Sequence, residues 1–217
     1  RAIALQEYAS HSNLPSERKL AEQFGVSRST IRTALNTLAA MSAITISQKQ
    51  LSVVNDWTQW KLDLIPYVIE HISEDKQVLR RILTLGFQFW RTTYLGIIPQ
   101  LVKQRVSKAE IHRLLEIAWS KRSDQVQFID AVNEVTRASL VGNSMQSYLW
   151  LFNDLASSFS RLAPRIPHLA TAITENWQSN RQMMESIADA DTAQAMHYAE
   201  LYLNGVENYM FEKLQLN

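Results

Sequence analysis

The amino-acid sequence predicts a mostly α-helical protein, in which an N-terminal winged helix-turn-helix precedes an all-α bundle of six or seven helices. Two helical patterns separated by Gly25 are followed by a short alternating segment near residue 50. From Trp57 onward, apolar residues recur at helical spacing with few helix breakers. We therefore expect a winged domain over residues 1–55, a linker over 56–61 and a helical domain over 62–217.

Two helices are predicted before Gly25. The first covers residues 2–12, and the second lies within LPSERKLAEQF, which turns Leu20, Ala21 and Phe24 inward. Gly25 ends this second helix, because glycine favours helix C-termini.

A third helix follows, with Ser27 well placed as its N-cap. Its apolar residues recur at i, i+3, i+4 and i+7, which predicts one buried face: Ile31, Ala34, Leu35 and Leu38. The remaining faces carry Arg28, Ser29, Arg32 and Asn36. The helix therefore presents a polar N-terminal half to a partner or to solvent.

The segment ITISQKQLSVV predicts a β-hairpin. Ile44 and Ile46 alternate on one side of a polar tip, and Leu51 and Val53 alternate on the other. The tip comprises residues 47–50. Together with three helices, this hairpin completes a winged helix-turn-helix, whose last helix enters a DNA major groove with its N-terminal residues foremost.

The second domain shows helix signals and turn signals in alternation. SKAEIHRLLEIAW opens with the capping-box pattern of Ser107 and Glu110. Breaks are predicted at 142–143, between Pro164 and Pro167, and at 189–191. Six or seven helices result.

Composition narrows the class of protein. Hydrophobic residues make up 46% of the 217 residues and charged residues 20%, as in ordinary globular proteins. The sequence contains no cysteine, which excludes disulfides, zinc fingers and thiol catalysis. No apolar run reaches the length of a membrane span and no signal peptide is evident, so we expect a cytoplasmic protein that does not enter membranes. The chain begins at Arg1, and we expect further residues upstream.

Charge is divided unevenly along the chain. Residues 1–50 hold six basic and three acidic residues, whereas the remainder holds 16 basic and 18 acidic residues. A basic first domain on a slightly acidic second one indicates a polyanionic partner for the first domain.

The string LPSERKLAEQFGVSRSTIRTALNTL resembles the DNA-binding signature of the GntR family of bacterial transcription regulators. The resemblance covers residues 14–46 in order, spacing and residue type. It implies operator contacts from the helix-turn-helix and the wing tip: Arg18, Arg28, Ser29, Thr30, Arg32, Gln48 and Lys49. One departure is Lys49, where the wings of that family commonly carry glycine.

The residue types fit these implied contacts. Arginine donates two hydrogen bonds to the O6/N7 edge of guanine, and serine and threonine hydroxyls suit phosphate oxygens. Without the family signature, a solvated arginine face would be the favoured interpretation of Arg28 and Arg32.

The second domain resembles, more loosely, the all-helical sensors of the FadR type. VNDWTQWKLDLI is similar to their connector, and FIDAVNEVTRASLVGN to a helix that ends in Gly-Asn. This resemblance implies a homodimer that responds to a ligand, with a long-chain acyl-coenzyme A as effector. Another small carboxylate and a free fatty acid remain open as effectors, as does the choice between repressor and activator.

Many sensors of this branch bind a divalent metal through an aspartate and three histidines. The corresponding positions here hold Asp130, Glu134, Asn180 and Tyr202, and none of them is histidine. Two carboxylates make a poor cage even for a hard cation. We therefore predict no structural metal and no cofactor.

Six residues are predicted to line an effector pocket, although aromatics at helical spacing usually form only core: Arg91, Asp130, Tyr148, Asn180, Tyr202 and Asn204. Arg91 is the predicted partner of coenzyme phosphates. No glycine-rich phosphate loop, GxSxG elbow or HExxH motif favours an enzyme. A purely structural DNA-binding protein would not need the large second domain.

Overall fold

A computed structural model describes residues 1–47, 50–61, 64–65, 68–69, 75–104, 106–141 and 145–216. The chain divides into two compact units, residues 1–74 and residues 75–217, which we call the head and the helical unit. This division falls later than the boundary predicted at 61/62, and much of the intervening segment lies outside the described residues. Each unit is described by itself.

The head contains the two helices predicted on either side of Gly25. Helix α1 spans Glu17–Phe24 and helix α2 spans Arg28–Ala40. Ser16 and Ser27 cap them, each hydroxyl accepting a backbone N–H three residues later. Gly25 has φ of 65°, and its N–H donates to the carbonyl of Ala21, so glycine ends α1 in the left-handed conformation that it favours.

A small apolar core joins these helices to the strands. Leu20 of α1 packs into this core with Ile31 and Leu35 of α2, as the helical periodicity predicts. Two predicted core residues do not belong to it: Phe24 is 59% exposed and Ala34 is also exposed. The buried face of these helices is therefore narrower than the sequence pattern predicts, because two short helices cover only part of each other's surface.

Two strands form the hairpin, β1 at Ile44–Thr45 and β2 at Val53–Val54. They pair antiparallel, with Ile44 opposite Val54 and Thr45 opposite Val53. The hairpin is confirmed but shorter than predicted, and Ile46 and Leu51 are about half exposed. Gln48 and Lys49, the predicted wing-tip contacts, lie outside the described residues.

The first helix predicted for residues 2–12 is wrong. This segment forms turns, and Gln6 and His11 have positive φ values of 57° and 64°, which no continuous right-handed helix permits. Instead the chain pairs beside β2. Asn13 bridges to Val53, and the His11 N–H donates to the Val54 carbonyl at 2.8 Å. Sequence periodicity did not reveal this competing pairing.

The segment predicted as a linker is bonded to the head. It begins with a 3-10 turn at Trp57–Gln59, capped by Asp56. The Lys61 N–H then donates to the Met41 carbonyl at 3.1 Å, and its Nζ donates to the Ala40 carbonyl at 2.9 Å. Residues 56–61 are thus fixed to the C-terminal end of α2.

The helical unit contains seven α-helices in its described part, in agreement with the predicted bundle. They are α3 (Lys76–Lys103), α4 (Lys108–Ser120), α5 (Gln125–Leu140), α6 (Gln146–Leu162), α7 (Leu169–Glu175), α8 (Trp177–Ala188) and α9 (Thr192–Lys213). The breaks predicted between Pro164 and Pro167 and at 189–191 fall between helices, and the one predicted at 142–143 lies outside the described residues. Helix α3 continues through Pro99. No helix in the described ranges is both long and apolar enough to cross a membrane.

Helix α9 forms the centre of the unit and packs against α3, α7 and α8. Helix α4 packs against α5 and α8, and α5 also contacts α6. A Cβ at Gly205 of α9 would lie 1.8 Å from the Asn176 Oδ1, so α9 approaches the α7–α8 junction closely. Phe128, Ile111 and Leu115 are fully buried in this core.

The N-terminus of α4 corrects one detail of the predicted capping box. The Ser107 hydroxyl accepts the Glu110 N–H at 3.4 Å, as expected. The Glu110 carboxylate does not return to the backbone of Ser107 but accepts two hydrogen bonds from Arg113, at 2.6 and 2.9 Å. These charge-assisted bonds compete successfully with the capping interaction.

Candidate functional site

The polar half of α2 is organised around the Ser27 hydroxyl. Ser27 Oγ accepts the Thr30 N–H at 3.1 Å and lies 2.7 Å from the Ser29 hydroxyl and 2.8 Å from the Thr30 hydroxyl. All three residues are exposed. Two predicted DNA contacts, Ser29 and Thr30, thus form one hydroxyl cluster at a helix N-terminus, where backbone N–H groups favour anions.

The three predicted arginine contacts of the head have different surroundings. Arg18 forms an exposed ion pair with Glu22 one turn along α1, at 2.7 Å. Arg28 is exposed and makes no hydrogen bond or ion pair to any residue that the structure describes. The Arg28 guanidinium is therefore available to a partner outside the chain.

Arg32 is bound instead to Glu17. Its Nε and Nη2 donate to the two carboxylate oxygens at 3.0 and 2.8 Å, a bidentate arrangement. These hydrogen bonds from Arg32 lower the pKa of the Glu17 carboxyl, and the same bonds raise the pKa of Arg32. The pair joins the first turn of α1 to the second turn of α2. Sequence reasoning missed Glu17, because residues 15 positions apart meet only in the folded head.

The helical unit holds an apolar cavity of about 40 Å³. Its walls come from α3, α5, α6 and α8, with Ile97, Ile98, Met183, Met184 and Ile187 among the lining residues. Tyr148 also lines it, the one member of the six predicted effector residues that does so. A cavity of this size has room for only a few water molecules, so a larger ligand requires the helices to separate.

Tyr94 lines the cavity and Tyr202 does not, but both rings pack against Trp90. Tyr94, a lining residue, lies with its hydroxyl 3.1 Å from the Thr136 hydroxyl. Tyr202 is fully buried and its ring packs edge-on against Trp90, with ring centroids 5.8 Å apart. Burial raises the pKa of both phenols. Asn180 opposes this rise at Tyr202, yet the Tyr202 hydroxyl has no partner at hydrogen-bond distance and angle among the described residues.

The remaining predicted effector residues do not line this cavity. Arg91 forms a part-buried ion pair with Glu207 at 2.8 Å, which ties α3 to α9. Asp130 is exposed and accepts a hydrogen bond from the Ser160 hydroxyl at 2.7 Å. Asn180 is buried and Asn204 is exposed. Arg91, Asp130 and Asn180 lie on helices that line the cavity, whereas Asn204 lies on α9, which does not.

The positions that correspond to the family's metal ligands do not fit a metal. Asp130 is bonded to Ser160, and Glu134 pairs with Arg137 at 2.9 Å. The other two positions, Asn180 and Tyr202, offer an amide and a neutral phenol. Within the part of the chain that the structure describes, no three histidine, aspartate or glutamate side chains cluster as a metal site.

The head is a helix-turn-helix whose second helix is capped, exposed and basic, and the chain continues into a separate helical unit. This architecture defines a DNA-binding regulator with a second domain. Residues 1–54 match the family described as bacterial regulatory proteins, gntR family. Two curated relatives are each 42% identical over 201 residues, covering 86% of this chain and 78% of the relative. They are the uncharacterized HTH-type transcriptional regulator Mb0601 of Mycobacterium bovis and the HTH-type transcriptional regulator Mce2R of Mycobacterium tuberculosis.

The chain therefore belongs to the GntR family and is a DNA-binding transcription regulator rather than an enzyme. A solved structure of Lar, described as controlling expression of the Listeria monocytogenes agr system, shares the fold. It has a TM-score of 0.62 at 14% identity and covers 97% of this chain and 92% of its own.

Proposed function

We propose that this regulator binds a two-fold-symmetric operator as a homodimer and responds to a fatty acyl-CoA or a related fatty-acid metabolite held in the helical unit. The observation that carries the DNA-binding half is the exposed N-terminal part of α2, where Arg28 makes no hydrogen bond or ion pair with a described residue and the Ser27 cluster gathers three hydroxyls. Arg18 and Arg32 flank this surface in ion pairs.

The apolar cavity supports the fatty-acyl effector. Its lining is aliphatic over most of its extent, and Met183 and Met184 are flexible side chains that adapt to ligands of different shape. Because the cavity is small, an acyl chain would have to move apart the helices that line it as it enters. Ligand binding would then favour a different helix arrangement, which is the requirement for any change in DNA affinity.

The connector provides a route from the helical unit to α2. Residues 54–62, with Trp57 and Trp60, are the segment we expect to transmit the change. Lys61 bonds to the carbonyls of Ala40 and Met41 at the end of α2. A shift of the connector would therefore act directly on the helix that faces DNA.

A second effector class, a small carboxylate of another kind, is favoured by the cavity volume of about 40 Å³. In this alternative, the Tyr94 and Thr136 hydroxyls would supply hydrogen bonds to a polar ligand. Arg91 is a weak candidate for coenzyme phosphates, since Glu207 already pairs with it.

The two effector classes are separated by calorimetry of the full chain with acyl-CoA of increasing chain length and with short hydroxy acids. For an acyl chain, affinity should rise by up to about fourfold for each added methylene, until the cavity is full. Tighter binding of a short hydroxy acid, or affinity independent of chain length, would reject the fatty-acyl effector. Mass spectrometry of molecules that co-purify with the native protein supplies the identity.

A further inference from the structure

Glu17 and Arg32 form a rigid pair at the edge of the proposed DNA-binding surface. The Glu17 carboxylate lies in the first turn of α1 and its side chain is 29% exposed, whereas the Arg32 side chain is 64% exposed. The carboxylate is thus the sheltered partner, and the guanidinium extends from it toward solvent. Two hydrogen bonds of 2.8 and 3.0 Å fix the plane of the guanidinium.

The pair leaves part of the guanidinium unused. Arginine has five N–H donors, and Glu17 accepts from Nε and from one N–H of Nη2. Three N–H groups remain, on Nη1 and Nη2, at the end of the side chain. Two of them lie parallel in the geometry that the O6/N7 edge of guanine accepts.

The carboxylate has two opposite consequences for DNA binding. It keeps Arg32 in one orientation, so less side-chain freedom is lost when a base is contacted. It also places a negative charge near phosphates, which weakens every contact that depends on charge alone. Both consequences raise the specificity ratio, which is the affinity for a specific DNA site divided by the affinity for non-specific DNA.

We infer that Glu17 is a positioning residue that sets the sequence specificity of this regulator by holding Arg32 toward a base and by discouraging binding elsewhere. The inference rests on the proposed function in one respect, namely that α2 faces DNA.

The chain offers a matched control on the same helix. Glu22 forms an ion pair with Arg18, in which both side chains are more than half exposed and one bond of 2.7 Å is made. Glu22→Gln removes the same charge from α1 as Glu17→Gln does. It does not touch the bidentate pair.

The test uses the full chain and two DNA duplexes. One is selected with the wild-type protein from a random-sequence duplex library, and the other is a scrambled duplex of equal length. Kd for each is measured by fluorescence anisotropy at one salt concentration.

Glu22→Gln should strengthen binding to both duplexes alike and leave the specificity ratio within about twofold. Glu17→Gln should strengthen binding to the scrambled duplex but lower the ratio about tenfold.

The double variant separates this inference from the proposed function. If Glu17 acts through Arg32, then Glu17→Gln should lower the ratio no further when Arg32→Ala is already present. If Glu17→Gln and Glu22→Gln have the same specificity ratio while Arg32→Ala still lowers it, only the proposed role of Glu17 would be overturned. An unchanged ratio in Arg32→Ala would overturn both this role and the proposed contact. An unfolded variant would lose both duplexes, which differs from tighter binding to the scrambled one.

Discussion

The side chains proposed to act in the head and in the helical unit lie in different environments. In the head, Arg28, Ser29 and Thr30 are exposed on one short helix, and their geometry is set by bonds within a few residues. In the helical unit, Tyr202 is fully buried and Tyr94 is part-buried, and distant helices determine what they contact. The proposed recognition of DNA can therefore be local, whereas the proposed binding of a ligand would depend on the whole bundle.

The largest effect that we expect is on the stability of the helical unit. Phe128→Ala removes a fully buried ring that packs on Trp177, with ring centroids 5.6 Å apart. It should lower the free energy of unfolding of that unit by about 3–5 kcal/mol. Denaturant unfolding followed by tryptophan fluorescence measures it. The control is Val126→Ala on the same helix, which is exposed and should change little. Equal losses in the two variants would contradict the assigned core.

Arg28→Ala should produce the largest effect on DNA binding with no comparable effect on stability. If Arg28 reads guanine, its loss should lower affinity for the selected duplex about 5- to 150-fold and relax preference at one base pair. Anisotropy with the selected duplex and its single-base variants measures this. Arg113→Ala removes the same charge from the exposed surface of the helical unit and should have little effect. Uniform weakening on every duplex would instead assign Arg28 to phosphate.

The same chemical change made at two helix N-caps compares the units directly. Ser27→Ala and Ser107→Ala each remove an N-cap hydroxyl, and each should cost about 1 kcal/mol of stability. Only Ser27→Ala should also weaken DNA binding, because it disperses the hydroxyl cluster with Ser29 and Thr30. Thermal unfolding and anisotropy on both variants test this. Equal DNA affinities would remove the cluster from the interface.

Tyr202→Phe should have the smallest effect on stability and a clear effect on its pH dependence. The hydroxyl has no partner at hydrogen-bond geometry in the described chain, so its removal should be neutral or stabilising by about 1 kcal/mol. Burial raises the pKa of Tyr202 above its usual value of 10, so the unfolded chain loses this proton first. Stability should therefore fall as pH rises above about 10, and less steeply in Tyr202→Phe.

Unfolding in urea at pH 8 and pH 11 tests this variant. Tyr94 contributes to the alkaline loss in the same direction, so the slope decreases without vanishing. Tyr148→Phe, which removes a phenol hydroxyl that is about half exposed, is the matched control. A Tyr202→Phe protein several kcal/mol less stable would mean that the hydroxyl is bonded in solution.

The contrast between the units also explains which features the sequence could predict. The two helices around Gly25 and the buried residues Ile31 and Leu35 follow from local periodicity and capping. The helix predicted for residues 2–12 is wrong because this segment pairs beside β2 through His11 and Asn13. That pairing is a tertiary interaction with no local sequence signal.

The predicted sites divide in the same way. The exposed position of Arg28 could be predicted, because one helix face decides it. The partners of Arg32 and Arg91 could not, since Glu17 and Glu207 are brought to them only by packing of α1 on α2 and of α3 on α9. Of the effector residues, Tyr148 lines the cavity, while Asn204 faces solvent. When a helix carries two partly apolar faces, the sequence pattern alone cannot tell which of them lines the cavity.

We propose that α2 of the head reads DNA and that the helical unit binds a ligand that alters this reading. DNase footprinting on the duplex selected from a random library, with and without the acyl-CoA that binds most tightly in calorimetry, tests it most directly. We predict a protected palindrome that is absent with Arg28→Ala, retained with Arg113→Ala, and changed in occupancy by the ligand. Protection that is identical in Arg28→Ala and indifferent to every ligand tested would contradict it.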